Sequence, residues 1–498
     1  MAVNTTFRTV KLAYECALDP KQIVMQCNLD TSAKGGVSQV CFVTASASVT
    51  KAQALSKQVK MSGKTGIKLL YLDEQGLLRS FDYISDFAED LASDRIAADM
   101  PIRVTAHVTD TQTAVSGDEI KVQLVVTLQV YAIESRTDEL LEHADGALEL
   151  RAEVETQNFQ GYLQEQVELS DEYETGVMVD EILLFDVRAV TTRSELRDDR
   201  WSAQGEAVAD IIYRSEGEVY AQSMTIPFVR ELDAPVNANV CLSCRVADCK
   251  LVLLGTEQNN VMRVEAVLQI EGAVFGTETM DLVQDIFCPT CNLDVHTSEQ
   301  EYRIECCSEQ IRERISATAP VSDEDLTKIL ALQTLSSQLT SVQVGDGEIV
   351  CEGVLCVGAI CQAQSGTTVC NRIELPFSIT GASALANLGD TATAECIALE
   401  VSGRIRRDRE IEVGANLCIA ICLQRQRAIR GIASVQEGDA IQLRDNGIVV
   451  YLPREGMTMW DVAKELAMPM DEIRRQNPDV SEPLSGQERL IVYKELSM

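Results

Sequence analysis

Two cysteine pairs have the type and spacing for metal chemistry, Cys241-x2-Cys244 and Cys288-x2-Cys291. Four thiolates so spaced suit a tetrahedral zinc ion. The second pair, Cys-Pro-Thr-Cys, has the composition of a knuckle. The first lies in VCLSCRVADC, which reads as strand, where residues three apart point to opposite faces. Cys306 and Cys307 are adjacent and badly placed to share one ion. The expectation is no metal, with Cys241, Cys244, Cys288 and Cys291 as weak candidates. Ser62-Gly63-Lys64-Thr65 has the ending of a phosphate-binding loop, but Gln58 stands where that loop needs a glycine. The three histidines, His107, His143 and His296, have no cysteine or carboxylate at ligand or triad spacing, and no serine sits in a nucleophile elbow. The residues argue for no catalytic group, no enzyme and no cofactor.

What must position these side chains is a long acidic chain. Its 498 residues suggest three to four domains, and a net charge of −34 from 77 acidic and 43 basic residues disfavours phosphate backbones and anionic lipid. Basic surfaces of proteins suit it better. No apolar run reaches the roughly 18 residues of a membrane span. The opening MAVNTTFRTVKLAYECALDP lacks the basic and apolar regions of a secretory signal, so a cytosolic location is expected. There the 17 cysteines should stay reduced rather than form a disulfide framework.

One pattern recurs three times at a spacing of about 145 residues. Gly63–Tyr71 matches Gly205–Tyr213 and Gly353–Cys361; Phe87, Phe228 and Phe377 follow; strands from Val122, Val264 and Val413 come last. Short Val- and Ile-rich segments alternating apolar with polar, with turns such as Ser215–Glu218, predict antiparallel strands with one wet face. The fold class expected is mainly β: repeated antiparallel sandwich or barrel-like units over 1–160, 161–296 and 297–445. Short helices are expected at junctions, for instance Asp323–Leu335. In the third unit Cys351, Cys356 and Cys361 occupy strand positions and read as small apolar residues. A further expectation is that cysteines cross-link between molecules under oxidising conditions.

The last segment, 446–498, changes period. Met459, Trp460, Val462, Ala463 and Leu466 follow helical spacing behind a Thr458 cap with Asp461 three residues on. A second helix is expected from Met470 to Arg475, opened by Pro469, with strands at Ile448–Leu452 and Arg489–Tyr493 on either side.

This tail resembles a LysM module through Tyr451, Gly456, Thr458, Trp460, Ala463, Asn477-Pro478, Leu484, Gly486, Gln487 and Leu490. The resemblance implies a βααβ fold and, in most members, a groove for N-acetylglucosamine glycans. Here Met457 and Met459 stand where Asp and Leu are usual, so an apolar protein contact is the alternative to sugar. The repeats resemble SPOCS domains: Gly205 to Tyr213 with Ile226-Pro227-Phe228 is the clearest copy, the third has Leu375-Pro376-Phe377, and the first lacks the proline. Three such repeats before a LysM tail resemble the SipL family of spore-coat morphogenetic proteins. That resemblance implies a scaffold in the mother-cell cytoplasm at the forespore surface, which binds the coat ATPase SpoIVA and other coat proteins, with self-association. The implied contact comprises Gly456, Met457, Thr458, Met459, Trp460, Asn477 and Pro478, with Met457 foremost. The alternative is a peptidoglycan-binding protein of cortex or wall.

Overall fold

A computed structural model of the chain describes residues 3–254, 260–320, 325–407, 409–441 and 447–494. Three times over, the alternating segments build a similar set of strands. The first set is β1 (Asn4–Ala17), β2 (Lys21–Asp30), β3 (Gln39–Leu55), β4 (Gln58–Leu72), β5 (Leu78–Ala92), β6 (Ile102–Ser116) and β7 (Glu119–Asp145). The second is β8 (Leu148–Glu174), β9 (Glu181–Arg197), β10 (Arg200–Ser215), β11 (Glu218–Leu232), β12 (Ala238–Val240), β13 (Ser243–Leu254) and β14 (Val261–Phe287). The third is β15 (Cys291–Pro320), β16 (Leu326–Val344), β17 (Glu348–Ala363), β18 (Thr368–Ala382), β19 (Thr391–Arg406) and β20 (Glu410–Ala440).

In each set one sheet is organised on the long last strand. β7 pairs with β1, β2 and β6; β14 with β8, β12 and β13; β20 with β15 and β19. The other sheet is a meander, β3-β4-β5, β9-β10-β11 or β16-β17-β18, and every pairing is antiparallel. The period-two pattern decides which face is dry. Along β7, Ile120, Val122, Leu124, Val126, Leu128 and Val130 are all buried, and they meet Val59, Met61, Ile67, Leu69 and Tyr71 of β4. Each such side chain contributes about 2 kcal/mol of burial. Turn chemistry closes the hairpins: Glu216 and Gly217 both have positive φ, 49° and 82°, which suits a two-residue turn between right-twisted strands.

The recurring glycine has a packing cause. Gly63 lies opposite Phe87, Gly205 opposite Phe228 and Gly353 opposite Phe377. A β-carbon on any of the three would overlap that phenylalanine ring on one side and a neighbouring-strand carbonyl, of Ser48, Val190 or Gln338, on the other. The ring covers a bare stretch of backbone, and no other residue leaves room for it.

Two expectations need correction. No helix occupies Leu326–Leu335, which belongs to β16; the preceding Asp323 lies outside the described residues. The strand pairings change hands at Gly146 and at Cys288–Cys291, since β8 pairs with β14 and β15 with β20 over most of their lengths. The expected break at 445 falls outside the described residues. Finally, not all cysteines are free: Cys41 bonds to Cys370 and Cys241 to Cys422, with Cα separations of 5.0 and 6.1 Å. Each bond joins two different sets.

The sets share apolar surface. Phe42, Leu70, Leu72 and Leu78 of the first, Leu183, Leu184 and Ile212 of the second, and Ala331, Ile360 and Cys370 of the third form one buried cluster. Near it the Lys68 ammonium pairs with Asp186 at 3.4 Å, and beside Cys418 the Arg312 guanidinium pairs with Glu206 at 3.0 Å.

The tail is β21 (Gly447–Tyr451), α1 (Met459–Leu466), α2 (Met470–Gln476) and β22 (Leu490–Lys494). The Thr458 hydroxyl accepts from the Asp461 N–H, and the Asp461 carboxylate accepts from the Thr458 N–H, a reciprocal cap that starts α1.

Candidate functional site

The residues expected to form a contact in the tail divide into two kinds. Met459 and Trp460 are 1% and 6% exposed and build the module's core. The reason is that α1 turns its apolar stripe inward. The Trp460 ring also meets Phe287 edge-on at 5.1 Å, while its indole N–H donates to Asp285 at 2.8 Å. Lys464 pairs with the same carboxylate at 2.8 Å. The tail is thereby fastened to the end of β14.

Met457 is half-buried, and its sulfur accepts the Arg454 N–H at 3.3 Å. Its thioether is therefore turned into its own loop. Gly456, at φ 84°, and Thr458 are exposed, and the loop is pinned by Gly456 N–H to the Leu484 carbonyl at 2.8 Å. Asn477 is structural: its side chain donates to the Ile473 and Ile491 carbonyls and accepts the Ile491 N–H at 2.9 Å. Pro478 beside it is exposed.

Sequence reasoning missed the outer face of β21 and β22. Cross-strand partners Ile448 and Tyr493, and Val450 and Ile491, share that face. They are 71%, 49%, 61% and 56% exposed, and Leu452 follows at 65%. The alternation was legible: Val492 and Leu490 point in, so Ile491 and Tyr493 point out. Four large apolar side chains on one small sheet face form a patch of the kind that covers itself with a partner.

The four cysteine candidates do not converge on one point, although the Cys288 and Cys291 thiols lie within hydrogen-bonding reach of each other. Cys241 is bonded to Cys422, Cys244 is buried, and the Cys288 thiol lies 3.5 Å from the Gly146 carbonyl and 3.2 Å from the Thr290 hydroxyl. Among the described residues no three His, Cys, Asp or Glu side chains are placed to hold a metal ion. The side chains of Cys306 and Cys307 lie outside the described set. Cys351, Cys356 and Cys361 are buried within the third set. Ser62–Thr65 lies in β4, where no helix follows it. His107 sits in β6, His143 in β7 and His296 in β15, in three separate surroundings.

Where the three sets meet there is a polar cavity of about 300 Å³, lined by Glu15, Arg103, His107, Tyr131, Glu395 and Cys422 among others. Arg103 is held by Glu15 at 2.9 Å and lies 4.2 Å from the Tyr131 ring centre. Burial pushes the Glu395 carboxyl up to about 7; Arg103 and the Cys244 N–H oppose the rise, and Glu271 adds to it. Between its ordinary 4.5 and about 7 the folded protein holds a proton that the unfolded chain has lost. This group's contribution is thus full below that lower value and lost as pH rises through the upper one. We expect the urea-unfolding midpoint to fall from about pH 5 to about pH 7.5, and Glu395→Gln to flatten the fall. Equal slopes in the two proteins would show that the carboxyl titrates normally.

No family model, no curated protein and no solved structure matches the chain, so its function is argued from its own geometry.

Proposed function

We propose that the chain is a non-enzymatic scaffold of the spore coat, made of three SPOCS-like units and a LysM-like tail. The tail binds the coat ATPase SpoIVA, and the units hold other coat proteins as the layer encases the forespore from the mother-cell cytoplasm. The observation that carries this reading is the outer face of β21 and β22, where Ile448, Val450, Ile491 and Tyr493 stand exposed together. A sugar groove needs fixed polar groups on a shallow surface, whereas this face offers branched and aromatic carbon, which suits a protein. Attachment of Trp460 and Lys464 to Asp285 holds the face in a set orientation to the rest of the chain. The contact is accordingly moved from the Met457 loop to the sheet.

The test offers the full chain to SpoIVA and to purified peptidoglycan in parallel pull-downs. SpoIVA alone should be retained. Ile448→Asp should weaken that binding by roughly tenfold or more, as for a central apolar anchor. Met457→Asp should leave it within about twofold, since that side chain faces its own loop. Retention on peptidoglycan alone would replace this reading with the glycan one.

A further inference from the structure

Each meander ends in an edge strand, and two of the three edges are blocked. Pro227 in β11 lies opposite Glu206, and Pro376 in β18 lies opposite Val354, in both cases one residue before the phenylalanine that covers the glycine. Both prolines are exposed. A proline at an edge removes the outward N–H and fills its place with a ring, which stops another strand from adding there. In β5 the same register position, opposite Lys64, is Asp86.

The outward side of β5 can be read from its two ends. The Ser80 carbonyl accepts from the Lys34 ammonium at 3.0 Å, and the Asp90 carbonyl from the Lys21 ammonium at 2.8 Å. The N–H and C=O of one strand residue point to the same side, and alternate residues share it. Asp82, Ile84, Asp86 and Ala88 therefore turn their backbone groups away from β4, between two ends closed by lysine. All four side chains are exposed, Ile84 at 71%. Asp82 and Asp86 form no ion pair among the described residues; Lys68, opposite Asp82, pairs with Asp186 instead.

We infer that β5 is a docking edge for an extended, basic segment of a partner protein, which adds as an antiparallel strand with lysine or arginine against Asp82 and Asp86 and an apolar residue against Ile84. Main-chain hydrogen bonds supply the affinity and the alternating charges set the register. A second copy of the chain is the poorer occupant. Antiparallel self-pairing about Ile84 sets Asp82 against Asp86 twice, and pairing about Asp86 sets that carboxylate against itself. This inference does not depend on what the tail binds.

The probe is a fluorescent capped heptapeptide, Thr-Lys-Thr-Val-Thr-Lys-Thr, titrated with the full chain and followed by anisotropy. The wild type should bind, and Asp86→Pro should weaken binding roughly tenfold or more through loss of the donor and the added ring. The other two units carry proline at this register, so the variant should fold, with an unchanged unfolding midpoint as the check. Ile84→Asp, which leaves the backbone donors in place, should weaken binding as well. A peptide N-methylated at its hydrogen-bonding amides keeps its charge and should bind as poorly as the unmodified peptide binds the proline variant. Absence of binding by the wild type, or equal binding by Asp86→Pro or by the N-methylated peptide, would overturn the inference. So would a wild-type dimer in sedimentation that Asp86→Pro dissociates, because the edge would then belong to a second copy.

Discussion

Replacing Gly205 with alanine should destabilise the second unit by about 3 kcal/mol, at the upper end for one added methyl. The backbone there is ordinary, so the cost is steric. The new β-carbon meets the Phe228 ring and the Val190 carbonyl, and only the ring can move. Moving it uncovers Ala203, Ala207 and Ile226, which share its core. Chemical unfolding followed by limited proteolysis would locate the loss in this set of strands. Gly66→Ala is the control, since its β-carbon meets only the Ser46 hydroxyl, at 3.1 Å. A Gly205→Ala protein as stable as the control would mean that the ring is not held where it lies.

Reduction should have an effect of similar size. The bonds Cys41–Cys370 and Cys241–Cys422 span 329 and 181 residues, and closing loops of such length restricts the unfolded chain by about 3 kcal/mol or more apiece. Both tie the third set to another, so oxidation fastens all three together within one molecule. The oxidised protein should run as a compact monomer on a non-reducing gel, not as a ladder of cross-linked chains. Its unfolding midpoint should drop with reductant, and a Cys41→Ser, Cys241→Ser protein should not respond. An identical midpoint with and without reductant in the wild type would remove the bonds from the account.

The strands were legible because one face of each sheet is wet, as the alternation along β7 shows. The glycine and phenylalanine landmarks were legible as a repeat, though not as a contact, since the facing of Gly205 and Phe228 belongs to the hairpin register. The helix expected near Leu335 failed for an identifiable reason: β16 shifts register at Leu326/Lys328, Ile329/Ala331, Thr334/Ser336 and Leu339/Ser341. Extra residues at these bulges break the period of two and leave apolar spacings that read as helical. The cysteine partners and the polar cavity arise from packing between distant segments, which a single sequence does not display. In the tail, helical spacing correctly placed Met459 and Trp460 on one stripe. Which loop residues remained outside depended on Phe287 and Asp285 of another segment.

The buried cluster uniting Leu72, Leu184 and Ile360 has a consequence for synthesis. A ribosome delivers the first unit long before the third, and at about 5–20 residues per second the interval is on the order of tens of seconds. Throughout it, Phe42, Leu70 and Leu78 lack the cover of Ala331, Ile360 and Cys370, and until the second unit emerges they lack that of Leu183, Leu184 and Ile212 as well. Chaperone occupancy should therefore rise once this first unit has emerged and end only when β17 has cleared the exit tunnel.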